Sequence, residues 1–287
     1  MSDYKIITDS GCDLTAEMIR ALDLTVVPLF VTFRGETRPD SVTNEIRSLY
    51  DAWRNGESAS TAAANPAQWE SVMEPVLKEG RDVLVLAFSS GLSTTYQSAV
   101  IAASELAETY PDRKIRVVDS RSASLGQGLL VWYACQKRDE GMGLDELTAW
   151  VEEMKPHLCH WFTVDDLMYL KRGGRIGAAT AVVGTMLKIK PVLNMDDAGH
   201  LINMAKARGR KASLDMIVKK MGELGEGYDN STVFICHGDC LEDAQYVEQQ
   251  VKEKYGVKNV VIGYTGAVIG SQSGPGSLAL FFLGTHR

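Results

Sequence analysis

The sequence predicts an α/β protein of two domains. A mostly parallel, doubly wound sheet occupies residues 1–156, and an α+β domain with antiparallel pairing occupies residues 157–287. Three observations support this. Through the first half, short apolar runs alternate with helix-length stretches, the pattern of βαβ units. Three of those runs (Lys5–Thr8, Val83–Phe88 and Ile115–Val118) break off into polar turns: Asp9-Ser10, Ser89-Ser90-Gly91-Leu92-Ser93 and Asp119-Ser120. Beyond Pro156 the strand-like runs shorten, and two of them flank Asp196-Asp197-Ala198-Gly199, which reads as a hairpin turn.

Taken in order, the first strand leads to a helix over Thr15–Leu22 and then to a single strand in LTVVPLFVTF. Helices follow over Asn44–Arg54 and Ala67–Lys78, the second opened by Asn65-Pro66, with proline suited to a first helical turn. The run at Val83–Phe88 feeds a helix over Ser93–Tyr110, and that at Ile115–Val118 feeds helices over Ala123–Arg138 and Leu144–Met154. In the second half the expected strands are His160–Val164, Lys188–Leu193, His200–Asn203, Thr232–Cys236, Val260–Gly263 and Leu278–Leu283. The expected helices there are Lys211–Glu223 and Leu241–Tyr255. In an open α/β sheet the polar turns fall along the carboxyl ends of the strands, where ligands bind. Short hydroxyl side chains and free helix N–H groups there suit a small acidic group.

The 287 residues exceed one typical domain, and 45% hydrophobic with 23% charged residues is an ordinary globular composition. A net charge of −7 argues against nucleic-acid binding. A strand within the first residues leaves no room for a signal peptide, and the longest apolar runs, VLVLAF and LALFFLG, are far too short to span a bilayer. Five cysteines (Cys12, Cys135, Cys159, Cys236, Cys240) form no evident pairing framework, so a soluble cytoplasmic protein with reduced thiols is expected. Charge is uneven: Lys171–Lys211 holds nine basic residues against Asp196 and Asp197, a local +7. This is either a set of solvated faces or a surface for an acidic partner.

No Walker-type loop, complete dinucleotide fingerprint or nucleophile elbow is present, and no cofactor is expected. Cys236-His237-Gly238-Asp239-Cys240 matches no common zinc spacing and reads as a strand end and turn, so no metal is expected.

Seven segments in order resemble the DegV family of bacterial fatty-acid-binding proteins. They are TDSGCDL at Thr8–Leu14, STAAANP at Ser60–Pro66, SSGLSTTYQSA at Ser89–Ala99, VDSRSASLGQG at Val118–Gly128, DDLMYLKRGGRI at Asp165–Ile176, KIKPVL at Lys188–Leu193 and IGSQSGPGS at Ile269–Ser277. The resemblance implies a carrier, not an enzyme, that buries one long-chain fatty acid with its carboxylate held near the domain junction. Such proteins are similar to the acyl-carrying subunit of a fatty acid kinase. There a separate ATP-binding subunit phosphorylates the bound acid to an acyl phosphate for phospholipid synthesis.

The family's carboxylate-binding hydroxyls fall on Thr61 and Ser93, and its head-group arginine on Arg208. Gln272 stands where the family usually has histidine, and Thr94 where glycine is usual. A glutamine amide can donate to a carboxylate but cannot become a cation. Arg172 and Arg175, around Gly173-Gly174, are expected at the domain junction or on the surface that docks the kinase subunit.

Plainer roles stand beside these. Thr61 is also readable as a cap for the helix near Pro66, Ser93 as an N-cap, Asp9 and Asp119 as structural strand-end groups, and GSQSGPGS as a glycine-rich turn. Ala123, Gly126 and Gly128 suit either a tail or close helix–sheet packing. Two rival functions remain: lipid storage without a kinase, and an enzyme using Ser89 or Ser93 as nucleophile for acyl transfer.

Overall fold

The computed structural model describes residues 3–40, 45–176 and 189–287. Asn44 and Lys188, which the sequence places at the start of a helix and a strand, lie outside the described residues.

The chain runs β1 (Tyr4–Asp9), α1 (Ala16–Ala21), β2 (Thr25–Val27), β3 (Phe30–Phe33), β4 (Glu36–Pro39), α2 (Ile46–Arg54), β5 (Ser60–Ala62), α3 (Pro66–Lys78), β6 (Asp82–Ala87), α4 (Thr95–Thr109), β7 (Ile115–Asp119), α5 (Ser124–Asp139) and α6 (Leu144–Met154). It continues β8 (Leu158–Thr163), α7 (Met168–Arg172), β9 (Ile189–Met195), β10 (Leu201–Arg208), α8 (Arg210–Leu224), β11 (Thr232–His237), α9 (Leu241–Tyr255), β12 (Asn259–Tyr264), α10 (Ala267–Ser273) and β13 (Leu278–Leu283).

Strands β2-β1-β6-β7 form a parallel sheet. Because side chains alternate along a strand, its two faces bury different sets. Ile6, Leu84, Leu86 and Val118 pack with α5 and α6, whereas Ile7, Val83, Val85 and Ala87 pack with α3 and α4. This is the doubly wound arrangement. The second sheet, β10-β9-β8-β13-β11-β12, is antiparallel except for the parallel pair β11–β12. Helices α8 and α9 cover one of its faces. Its other face meets α5, where Leu125, Leu129 and Leu130 share one core with Leu158, Phe234 and Phe281. Strands of the parallel sheet all precede residue 120 and those of the six-stranded sheet all follow residue 157. The division at residue 156 is kept as a proposal.

The sequence suggested one strand in LTVVPLFVTF, and the structure splits it. Pro28 has no N–H to offer a ladder; before it β2 joins the parallel sheet, and after it β3 pairs antiparallel with β4 and β5 in a third, three-stranded sheet. GSQSGPGS (residues 270–277) is readable as a glycine-rich turn; its first four residues complete the short helix α10, and the turn follows from Gly274.

Candidate functional site

A cavity of about 790 Å³ lies between the carboxyl ends of the parallel strands and the face of the six-stranded sheet that meets α5. Its wall is mainly apolar, with Leu29, Phe88, Phe162, Met195, Leu201 and Phe281 among the contributors. Thr61, Ser93 and Gln272 all line it, brought together from β5, the β6–α4 turn and α10.

Thr61 sits in a strand, paired opposite Val31, and does not cap α3. That helix is capped by Asn65, whose side chain accepts from the Gln68 amide while Gln68 answers to the Asn65 amide. The Thr61 hydroxyl therefore has no partner among the described residues and is left facing the cavity wall.

The N-cap of α4 is Thr94 rather than Ser93, but Ser93 still ties the helix start. Its Oγ accepts from the Thr95 amide at 3.2 Å and lies 2.8 Å from the buried Thr95 Oγ1. A hydroxyl has two acceptor lone pairs and one hydrogen. Either hydroxyl can donate in that pair; when Thr95 is the donor, the Ser93 hydrogen is free for a ligand. Thr94, Tyr96 and Gln97 of the first turn of α4 also line the wall. Among the described residues neither Ser89 nor Ser93 hydrogen-bonds a histidine or a carboxylate; Ser89 Oγ donates to the Gly199 carbonyl at 2.9 Å.

Gln272 packs its Oε1 against the turn after α7. A β-carbon on Gly173 would fall 1.7 Å from that oxygen, so a larger residue there would have to push the Gln272 amide aside. Among the described residues Oε1 is buried without a partner, and Nε2 reaches only Ser271 Oγ at 3.5 Å. The amide thus keeps hydrogen-bonding capacity that no described residue uses.

The arginines fall differently from the sequence expectation. Arg208 is exposed and is not among the lining residues: Ala207 packs with α8, so alternation puts Arg208 on the sheet face that carries His160 and Phe162, but it stands at the end of the edge strand β10, outside the cavity wall. Arg175 lines the cavity instead, part-buried, with Nη1 donating to the Gly173 carbonyl. Among the described lining residues it is the one cation, and no carboxylate stands beside it. Arg172 is exposed and stacks on Tyr169, 4.6 Å from the ring centroid. Within the basic segment, Lys190, Arg210 and Lys211 are paired with Asp165, Asp243 and Asp215. Lys171, Arg172, Arg175, Lys206 and Arg208 have no carboxylate partner among the described residues.

Three buried aspartates underlie the wall. Asp9 accepts from the amides of Gly11 (3.0 Å) and Phe88 (2.7 Å), which ties the first two polar turns together; burial raises its carboxyl to about 7. Asp40 accepts from the amide of Val268 and the hydroxyl of Ser10, both at 3.2 Å, and burial raises it to about 6. Asp13 accepts from Ser124, a lining residue, and burial with the neighbouring Asp40 pushes it well above the usual carboxylate range. Asp119 accepts from the Ser90 and Arg121 amides at 3.1 and 3.0 Å. These groups shape turns and a helix end, and none of the four lines the cavity. Among the described residues no cluster suited to a metal ion occurs: His237 Nδ1 accepts the Cys240 amide, and all five cysteines are free. No described helix is long and apolar enough to cross a membrane.

Fold and cavity together define a three-sheet α/β protein with a largely apolar ligand cavity. The chain belongs to the DegV family, whose model, described as uncharacterised proteins, matches residues 3–285. A DegV domain-containing protein of Clostridium perfringens is 45% identical, with 100% of this chain and 99% of the relative covered. Among solved structures, a DegV family protein of Thermus thermophilus described for fatty acid binding superposes with a TM-score of 0.88 at 31% identity, covering 98% of this chain and 99% of that one. DegV of Bacillus subtilis, described as a fatty acid binding protein, gives a TM-score of 0.85 at 28% identity, covering 99% and 100%.

Proposed function

We propose that this protein binds one long-chain fatty acid, with the carboxylate among Thr61, Ser93, Gln272 and Arg175, and presents it to an ATP-dependent kinase subunit that forms the acyl phosphate. The observation that carries the reading is the pairing of a largely apolar cavity with hydroxyl hydrogens and one cation in its wall. An anion with a greasy tail satisfies both. The fatty-acid-binding relatives in Thermus thermophilus and Bacillus subtilis share this fold across nearly the full chain.

Magnitudes assign the parts. A tail with about 14 buried methylenes gains roughly 11 kcal/mol gross at ~0.8 kcal/mol each. A hydrogen bond to an ionised carboxylate contributes about 1.5–3 kcal/mol, and association losses reduce the total. The tail supplies affinity; the hydroxyls orient the head group. The carrier supplies no catalytic base in this reading. Lys171 and Arg172, exposed and without carboxylate partners among the described residues, would dock an acidic patch on such a subunit.

Reconstitution tests it: protein loaded with oleic acid is mixed with ATP and a bacterial fatty acid kinase subunit. Acyl phosphate formed only when the loaded carrier is present supports the assignment. Tight lipid binding with no turnover by any such kinase leaves a carrier or storage protein and removes the presentation step.

A further inference from the structure

The register of the six-stranded sheet shows where the cavity stops. Residues two apart on a strand share a face, about 6.7 Å from one another. One cross-strand row holds Phe162, Ala279 and Cys236, and all three line the cavity. The next row holds His160, Phe281 and Phe234; the first two line the cavity and Phe234 is packed in the core. In the row beyond, Leu158 pairs with Leu283, and both are buried in the core with Leu129 and Leu130. Open space therefore ends at the His160–Phe281 row. The hydroxyls and Arg175 come from other elements: β5, the β6–α4 turn and the turn after α7.

His160 is held rigidly in that row. Its ring meets Phe281 edge-on, with centroids 5.4 Å apart and planes at 82°. Its Nε2 edge occupies a slot that exists only because residue 126 is glycine. A β-carbon there would lie 2.5 Å from Nε2 and 2.7 Å from the Phe281 ring. Nδ1 lies 2.9 Å from the Leu158 carbonyl and donates to it, since a carbonyl only accepts. Burial drives the imidazole well below its usual pKa and keeps it neutral, and Nε2 is buried without a partner among the described residues. The small residue Gly126 thus makes room for the imidazole rather than for a ligand. A locked, uncharged ring at the closed end of an apolar cavity acts as a fixed wall.

We infer that His160, wedged against Gly126 and Phe281, is the stop that sets the acyl chain length this protein accepts. The inference rests on the fatty-acid reading above and adds the residue that selects among fatty acids. Removing the ring opens space for further methylenes. Each added methylene that becomes buried is worth ~0.8 kcal/mol, so two raise affinity about tenfold.

The test is a displacement titration with saturated acids from lauric to behenic, on the wild type and three variants. For His160→Ala the preferred acid becomes longer, and the affinity for an acid two carbons beyond the wild-type optimum rises about tenfold. For His160→Phe, which keeps an aromatic ring in the slot, the optimum stays or moves to a shorter acid. Phe281→Leu trims the other half of the row and moves the optimum toward longer acids, which covers the case in which His160→Ala does not fold. Binding with the same length preference in every folded variant overturns the inference alone. A wild type that binds no acid in the series defeats the fatty-acid reading itself, and the inference with it.

Discussion

The Val268 amide donates to Asp40 Oδ1 at 3.2 Å, joining residues 228 positions apart. Val268 opens α10, which carries Gln272 to the cavity, and no side chain of the helix's own N-cap, Gly266, is available to do this. A first-half carboxylate therefore fixes a second-half helix at the site. This contact carries a pH dependence. Burial raises the Asp40 carboxyl from 3.8 to about 6. Between those values the folded chain holds a proton that the unfolded chain has released. The group's contribution to stability is thus full below pH 3.8 and lost as pH rises through 6. Asp40→Asn keeps an acceptor for Val268 without the titration. Melting curves should show the wild type losing about 2 kcal/mol relative to this variant between pH 4 and 7. Parallel curves would remove the linkage.

Thr61→Ala and Ser93→Ala test the head-group hydroxyls. Each removes a donor to an ionised carboxylate, a loss of about 1.5–3 kcal/mol, or roughly ten- to a hundredfold in affinity. Thr61→Ala should barely move the melting temperature, because its hydroxyl has no protein partner among the described residues. Fatty-acid affinity unchanged in both variants would move the head group elsewhere.

Gln272→His restores a group that can become a cation. Fatty-acid affinity of the variant should rise as pH falls through about 6.5, whereas the wild type has no titrating group at that position. Identical pH profiles for the two proteins would make the exchange neutral for binding.

Docking is tested with Lys171→Glu combined with Arg172→Glu. Arg175 is left intact because it stands in the cavity wall. Acyl phosphate formation should fall at least tenfold with lipid affinity unchanged. Normal turnover would show that the kinase subunit reads another surface.

Much of this was legible in the sequence, for identifiable reasons. The parallel sheet announced itself because β1, β6 and β7 are short apolar runs each followed by a helix; of the three polar turns at their ends the one at Ser89–Ser93 lines the cavity, while Asp9, Ser10, Asp119 and Ser120 are not among its lining residues. Thr61, Ser93 and Gln272 could be placed at one site only through the DegV resemblance, since they lie 32 and 179 residues apart in the chain. Three features resisted. The split at Pro28 depends on which sheet each half pairs with, and pairing is nonlocal. Helix α10 takes its N-terminal acceptor from Asp40, so its own seven residues carry no capping signal. Arg175 rather than Arg208 lines the cavity because Arg208 falls at the end of the edge strand β10 while the turn at Gly173-Gly174 lies against α10, and both placements depend on nonlocal packing. His160 was one of five scattered histidines until β8 and β13 were paired.

Native mass spectrometry of the protein purified from bacterial cells tests the central claim most directly. The account predicts a complex heavier than the bare chain by the mass of one long-chain fatty acid, lost on delipidation and regained on adding oleic acid. A single species at the bare-chain mass that takes up no fatty acid would contradict it.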